Sequence, residues 1–112
     1  MTTNNVLEQI QFRLKENVLE SDFILASDQI NQWVQQQAGF IYRSLAKSTD
    51  GLWTDIYYWN DMESADAANK VFPTAPECQA LMSAILEESV IMQHLDIVSQ
   101  SCDFSQKEVT TA

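Results

Sequence analysis

The chain has 112 residues, enough for one domain, and 46% of them are apolar, with eleven aromatics among them. Sixteen acids against six bases give a net charge near −10, which repels phosphate backbones and anionic lipid and argues against nucleic acid and membrane surfaces as partners. No apolar run approaches the ~20 residues of a membrane span. The start, MTTNN, lacks the basic and apolar stretches of a secretory signal, so a cytoplasmic location is expected. Cys78 and Cys102 stand apart in a chain with one histidine, so reduced structural thiols are expected and no metal site.

The elements follow in chain order. Residues 5–15, NVLEQIQFRLK, alternate as a half-buried strand. Val6, Ile10, Phe12 and Leu14 share a face interrupted by Glu8, which is expected to reach solvent. Leu7, Gln9, Gln11 and Arg13 share the other. Residues 21–37 turn to helical spacing, with Phe23, Ala26, Ile30 and Val34 as the buried stripe, Ser21 as N-cap and Gly39 as the closing glycine. Trp33, one position off the stripe, covers an edge of the core. FIYRSLAK, 40–47, and LWTDIYYW, 52–59, are strands joined through the turn residues STDG, 48–51.

Asn60 or Asp61 caps a helix, MESADAANKVF, that buries Met62, Ala65, Ala68 and Phe72 and stops at Pro73. TAPE reads as a capping box, Thr74 with Glu77, for a third helix running to about Glu88 and burying Cys78, Leu81, Met82 and Ile85. The last strand is VIMQHLDIV, 90–98, with Ile91, Gln93, Leu95 and Ile97 on one face and Met92, His94, Asp96 and Val98 on the other. Residues 1–98 form the domain, and 99–112 read as a mobile tail with Phe104 as an anchor.

The order βαββαβ, its second helical region split, predicts an α+β ferredoxin-like plait, an antiparallel sheet with helices on one face. The bare face of such a sheet is large and apolar, which predicts a homodimer formed sheet to sheet. AGFIYRSLAKSTDGLWTDIYYWNDMESADAANKVF resembles the core of the dimeric α+β barrel superfamily, in its antibiotic-biosynthesis-monooxygenase-like branch. The resemblance spans roughly residues 5–98 and implies that fold. It also implies a class that includes cofactor-independent monooxygenases, haem-degrading enzymes, lactone isomerases and proteins without known activity. The haem-degrading branch carries a tryptophan and a histidine in the helices after strand three. Neither MESADAANKVF nor TAPECQALMSAILEE has one, so that chemistry is disfavoured.

With the most apolar side of each strand set against the helices, Ile56 and Tyr58 point to the helices. Gln9, Gln11, Arg13, Trp53, Asp55, Tyr57, Trp59, Met92, His94 and Asp96 then gather on the other face, around an expected barrel cavity. Aromatic walls with a few polar groups suit an apolar or aromatic small molecule. Desolvation raises the Asp55 carboxyl and a nearby Arg13 lowers it. Alternatively, Arg13 and Asp55 are a paired charge at a dimer interface. His94 is the group with an ordinary pKa near neutrality, suited to take a proton from a phenol or enol, with Tyr57 or Arg13 stabilising the oxyanion and Asp96 as a second titratable group. It equally fits a structural strand histidine. No phosphate loop, dinucleotide fingerprint, nucleophile elbow or HExxH motif is present, and no cofactor is expected. Two readings stay open: a small cofactor-independent monooxygenase-like enzyme acting on an aromatic or polyketide-like molecule, and a non-catalytic dimeric small-molecule-binding protein.

Overall fold

The computed structural model describes residues 5–102. Strand β1, Val6–Phe12, is followed by helix α1, Glu20–Val34, and by strands β2, Phe40–Lys47, and β3, Trp53–Trp59. Helix α2, Met62–Val71, leads through two single 3₁₀ turns, Phe72–Thr74 and Pro76–Cys78, into a short α3, Gln79–Ala84. A third 3₁₀ turn, Glu87–Ser89, precedes strand β4, Ile91–Asp96. The four strands form one antiparallel sheet in the order β2-β3-β1-β4, as the predicted plait requires. Among the described residues no helix is long and apolar enough to cross a membrane. Phe104, the predicted tail anchor, lies outside the described residues.

Strand register decides which face meets the helices, and it corrects the sequence reading. In β1 against β3, Val6 lies opposite Trp59, Glu8 opposite Tyr57, Ile10 opposite Asp55 and Phe12 opposite Trp53. Residues opposite one another share a face, so Trp53, Asp55, Tyr57 and Trp59 point to the helices and all four are buried. Met92, His94 and Asp96 share that side, opposite Ile10, Glu8 and Val6. The open face carries Leu7, Gln9, Gln11, Thr54, Ile56, Tyr58, Ile91 and Leu95, the reverse of the expectation for strands three and four. Apolar count alone misled, because β3 has bulky side chains on both faces and β4 is exposed along its whole length.

The core packs aromatic edges between layers. Phe23 of α1 meets Phe12 at 5.8 Å and Trp53 at 4.9 Å, and Trp33 meets Phe72 at 5.5 Å, all edge to face. Ile30, Val34, Ala65 and Ala68 close the contact, the small side chains letting α2 lie near the sheet. Cys78 is a buried free thiol, pushed up to about 11 by burial, and Cys102 is free and exposed.

Several local expectations differ. Helix α1 starts at Glu20 after Leu19 with no side-chain cap, so Ser21 lies inside the first turn. It ends at Val34, short of Gly39. The predicted capping box does not form: Thr74 donates its hydroxyl to the Val71 carbonyl, and the chain makes 3₁₀ turns around Pro73 and Pro76. Helix α3 stops at Ala84 because Ile85 turns extended and bridges Leu14 just beyond β1. Asp61 does cap α2, accepting the Ser64 N–H at 2.8 Å.

Gly39 holds the entry to β2 with φ +80°, and its carbonyl accepts from Asn60 N–H at 2.8 Å. A Cβ there would fall 2.1 Å from Ser64 Oγ and 2.5 Å from Ser64 Cβ. Gly39→Ala is therefore expected to destabilise by about 2 kcal/mol, from the left-handed backbone and the clash together. Its urea midpoint should drop, and an unchanged midpoint would mean that α2 and the β2 entry are not packed this closely.

Candidate functional site

A β-bulge between Phe40 and Tyr42 sets the chemistry of the buried sheet face. Phe40 lies opposite Trp59, yet Tyr42 lies opposite Tyr58, so β2 gains a residue there. Both Phe40 and Arg43 consequently face the helices, which strict alternation forbids. Arg43, opposite Tyr57, forms a two-pronged pair with Asp55, Nε to Oδ1 at 2.9 Å and Nη2 to Oδ2 at 3.0 Å. Its Nη1 donates to the Ser27 carbonyl and hydroxyl and to Asn31 Oδ1 of α1, at 3.1, 2.9 and 2.9 Å. Tyr57 donates its hydroxyl to Asp55 Oδ2 at 3.1 Å, and the guanidinium lies 5.4 Å from the Tyr57 ring centre.

The pair is almost wholly out of water, the two side chains 2% and 3% exposed. Burial pushes the Asp55 carboxyl above its ordinary range, and the Arg43 bonds oppose that push. Burial by itself would lower Arg43, but the Asp55 hydrogen bond and the neighbouring Tyr57 and Asp55 charges outweigh it and hold Arg43 above its usual value. Tyr57 is raised well above 10 by burial and then by the Asp55 charge, so it stays a neutral donor.

Beside this pair lies a second buried acid. Glu8 is 2% exposed, against the expectation that it reaches solvent. Its Oε1 accepts from Trp59 Nε1 at 3.1 Å, and its Oε2 accepts from Asn69 Nδ2 of α2 at 2.5 Å. His94 Nε2 stands 2.8 Å from the same Oε2, its side chain 26% exposed. Between sheet and helices is a cavity of about 210 Å³. The sheet supplies Glu8, Ile10, Phe12, Asp55, Tyr57, Trp59 and Met92 to its wall. Helix α1 supplies Trp33, and the opposite wall is Ala68, Asn69, Phe72, Leu81, Ile85 and Val90.

Of the predicted site residues, Asp55, Tyr57, Trp59 and Met92 come together on this cavity. It lies on the helix side of the sheet, not on the open face where they were expected. His94 is on the same side but behind Glu8 rather than on the wall. Trp53 is buried against Phe23, away from it. Asp96, opposite Val6, ends β4 exposed. Gln11 and Arg13 are separated from the group. Gln11 donates to Thr54 Oγ1 at 3.3 Å on the open face, and Arg13 pairs with Asp50 at 3.3 Å among exposed atoms. The partner of Asp55 is thus Arg43, not Arg13. Among the described residues no group of His, Cys, Asp and Glu is placed to hold a metal ion.

Sequence reasoning missed Arg43, Glu8 and Asn69 as site residues. Glu8 did announce itself by breaking the apolar row of β1. Asn69, four residues after Ala65 on the buried side of α2, was legible from helical spacing.

Removing one partner of the buried pair strands the other charge. Arg43→Met is expected to lose about 3–5 kcal/mol of stability. Arg43→Met combined with Asp55→Leu should lose less than the sum of the two single changes, measured by urea unfolding of all three variants. Additive losses would show that the two groups do not act as a pair.

Neither family models nor curated proteins match the sequence. Solved structures match closely in shape. A variant of SnoaB, a cofactor-independent oxygenase from Streptomyces nogalater, superposes with a TM-score of 0.73 at 14% identity, over 90% of this chain and 100% of that one. The monooxygenase ActVA-Orf6 of Streptomyces coelicolor, in complex with nanaomycin D, gives 0.68 at 16% identity, over 89% and 93%. Rv0793 from Mycobacterium tuberculosis gives 0.65 at 14% identity, over 88% and 99%. The chain therefore shares the ferredoxin-like α+β fold of these monooxygenase structures, the fold its sequence resemblance implies.

Proposed function

We propose that the protein is a small monooxygenase-like enzyme that takes a planar aromatic or polyketide-like molecule into the cavity between sheet and helices, without a cofactor. The observation that carries the reading is the cavity itself. Its walls are aromatic and aliphatic, and its polar groups are confined to Glu8, Asp55, Tyr57 and Asn69. Such a wall buries a flat apolar ring, and a few fixed polar atoms orient it. Asp55 is already neutralised by Arg43, so it contributes shape and a held Tyr57 more than free charge. An electron-rich ring that gives up a proton in this dry site would react with oxygen directly. One oxygen atom enters the substrate as a carbonyl and the other leaves as water. The substrate supplies all four electrons that reduce the oxygen molecule and both protons of the water. The names of SnoaB and ActVA-Orf6 support the same class, while at 14–16% identity their likeness carries the fold.

We also propose that two copies pair through the open sheet face. Ile91 and Leu95 are exposed there at 61% and 42%, and Tyr42 at 50%, a contiguous apolar surface of the kind that marks an interface. Sedimentation should report a dimer, and Ile91→Lys with Leu95→Lys should give a monomer. A monomeric parent protein overturns the pairing.

The enzyme reading is tested with a polycyclic phenol, following quenching of Trp33 and Trp59 emission and oxygen uptake together. Saturable quenching with oxygen uptake is expected. Ala68→Phe, which fills the cavity from α2, should weaken binding by about tenfold or more and abolish uptake while leaving the circular dichroism intact. Quenching without uptake would favour a non-catalytic binding protein, and no binding of any phenol would sink both readings.

A further inference from the structure

Glu8 is a buried acid that an apolar strand face has no folding reason to carry, and every donor around it comes from a different element. Trp59 belongs to β3, Asn69 to α2 and His94 to β4. An ionised carboxylate offers about four acceptor positions. Three are met by protein donors, two on Oε2 and one on Oε1, and Glu8 also lines the cavity. One acceptor position therefore remains for a donor from inside the cavity. The other cavity acid, Asp55, also has three donors, but two of those bonds come from Arg43, whose permanent charge already neutralises the carboxylate.

We infer that Glu8 is the group that receives the hydroxyl of the cavity ligand and, in an enzyme, its proton. The inference rests on the cavity reading above and moves the role of base from His94 to the carboxylate in front of it. The step is a simple transfer. The ligand O–H bond breaks, a Glu8 O–H bond forms, and the ligand is left as an oxyanion beside Trp59, Asn69 and Tyr57. No oxidant is needed for it. His94, Asn69 and Trp59 act as positioning residues that hold the carboxylate in place.

The ligand implied is a phenol or enol rather than an amine. One open acceptor position matches a single O–H. An ammonium group brings three N–H donors and a full charge into a site where Glu8 already has three donors.

The test uses a naphthol, its methyl ether and a naphthylmethylamine, each titrated against tryptophan emission. The parent protein should bind the naphthol about tenfold tighter than the ether, the scale of one hydrogen bond to a buried charge. Its bound absorption spectrum should move toward that of the naphtholate. Glu8→Gln keeps size and polarity, so it should bind the ether unchanged while losing the preference for the naphthol and the spectral shift. Equal binding of naphthol and ether by the parent overturns the assignment and leaves the cavity reading standing, as does tighter binding of the amine. Failure of all three to bind overturns both. Asp55→Asn is the control: an equal loss of naphthol preference there, with Glu8→Gln unaffected, would assign the role to the other acid.

Discussion

The buried ion pair of Arg43 and Asp55 is the constraint on which the interior depends. Two charges removed from water are tolerable only when the geometry is two-pronged and the remaining donors are met. Here Ser27 and Asn31 of α1 meet them, so the pair ties the outer strand β2 to the central strand β3 and to the helix above both. The bulge near Ile41 is what allows it. Without the extra residue, Arg43 would point to the open face and Asp55 would be buried alone. Tyr57 is fixed by the same carboxylate and stacks 6.2 Å from Trp59, which in turn holds Glu8. One side of the cavity is thus set by a chain of polar contacts running outward from a single salt bridge.

Element order, the hairpin at Asp50–Gly51 and the split second helical region were all legible, because alternation, helical spacing and turn residues are local signals. The facing of strands was not. Trp53 to Trp59 has large side chains on both faces, and only pairing with β1 tells them apart. That pairing is a long-range fact that spacing does not encode. The same gap explains Arg13. It is close in sequence to the polar residues of β1, but it leaves the strand and meets Asp50, while Arg43 arrives by a one-residue irregularity. Glu8 was seen and then assigned to water, since an isolated acid on an apolar row is ordinarily an exposed one. Its three donors come from residues 51, 61 and 86 positions away.

The two acids show how one hydrophobic interior can hold carboxylates in different conditions. Asp55 has a permanent cation and a neutral phenol as partners. Glu8 has an indole, an amide and an imidazole, of which only the last can carry charge. The first is a structural charge locked in place. The second is held by donors from three different elements, with no fixed cation against it.

The cavity wall opposite the sheet is made from a different kind of chain. Between Ala68 and Val90 the backbone passes through three 3₁₀ turns and a six-residue helix, with two prolines breaking any longer helix. The polar groups that face the cavity from β1 and β3 sit in a hydrogen-bonded ladder that tolerates little change. The shape of the space in front of them is written in a separate, loosely periodic stretch. The outline of the cavity can therefore drift by substitution at Phe72, Leu81 or Ile85 while Glu8, Asp55 and Tyr57 stay where they are. Polar geometry and cavity outline are thus held by separate parts of the chain, and each can change without the other.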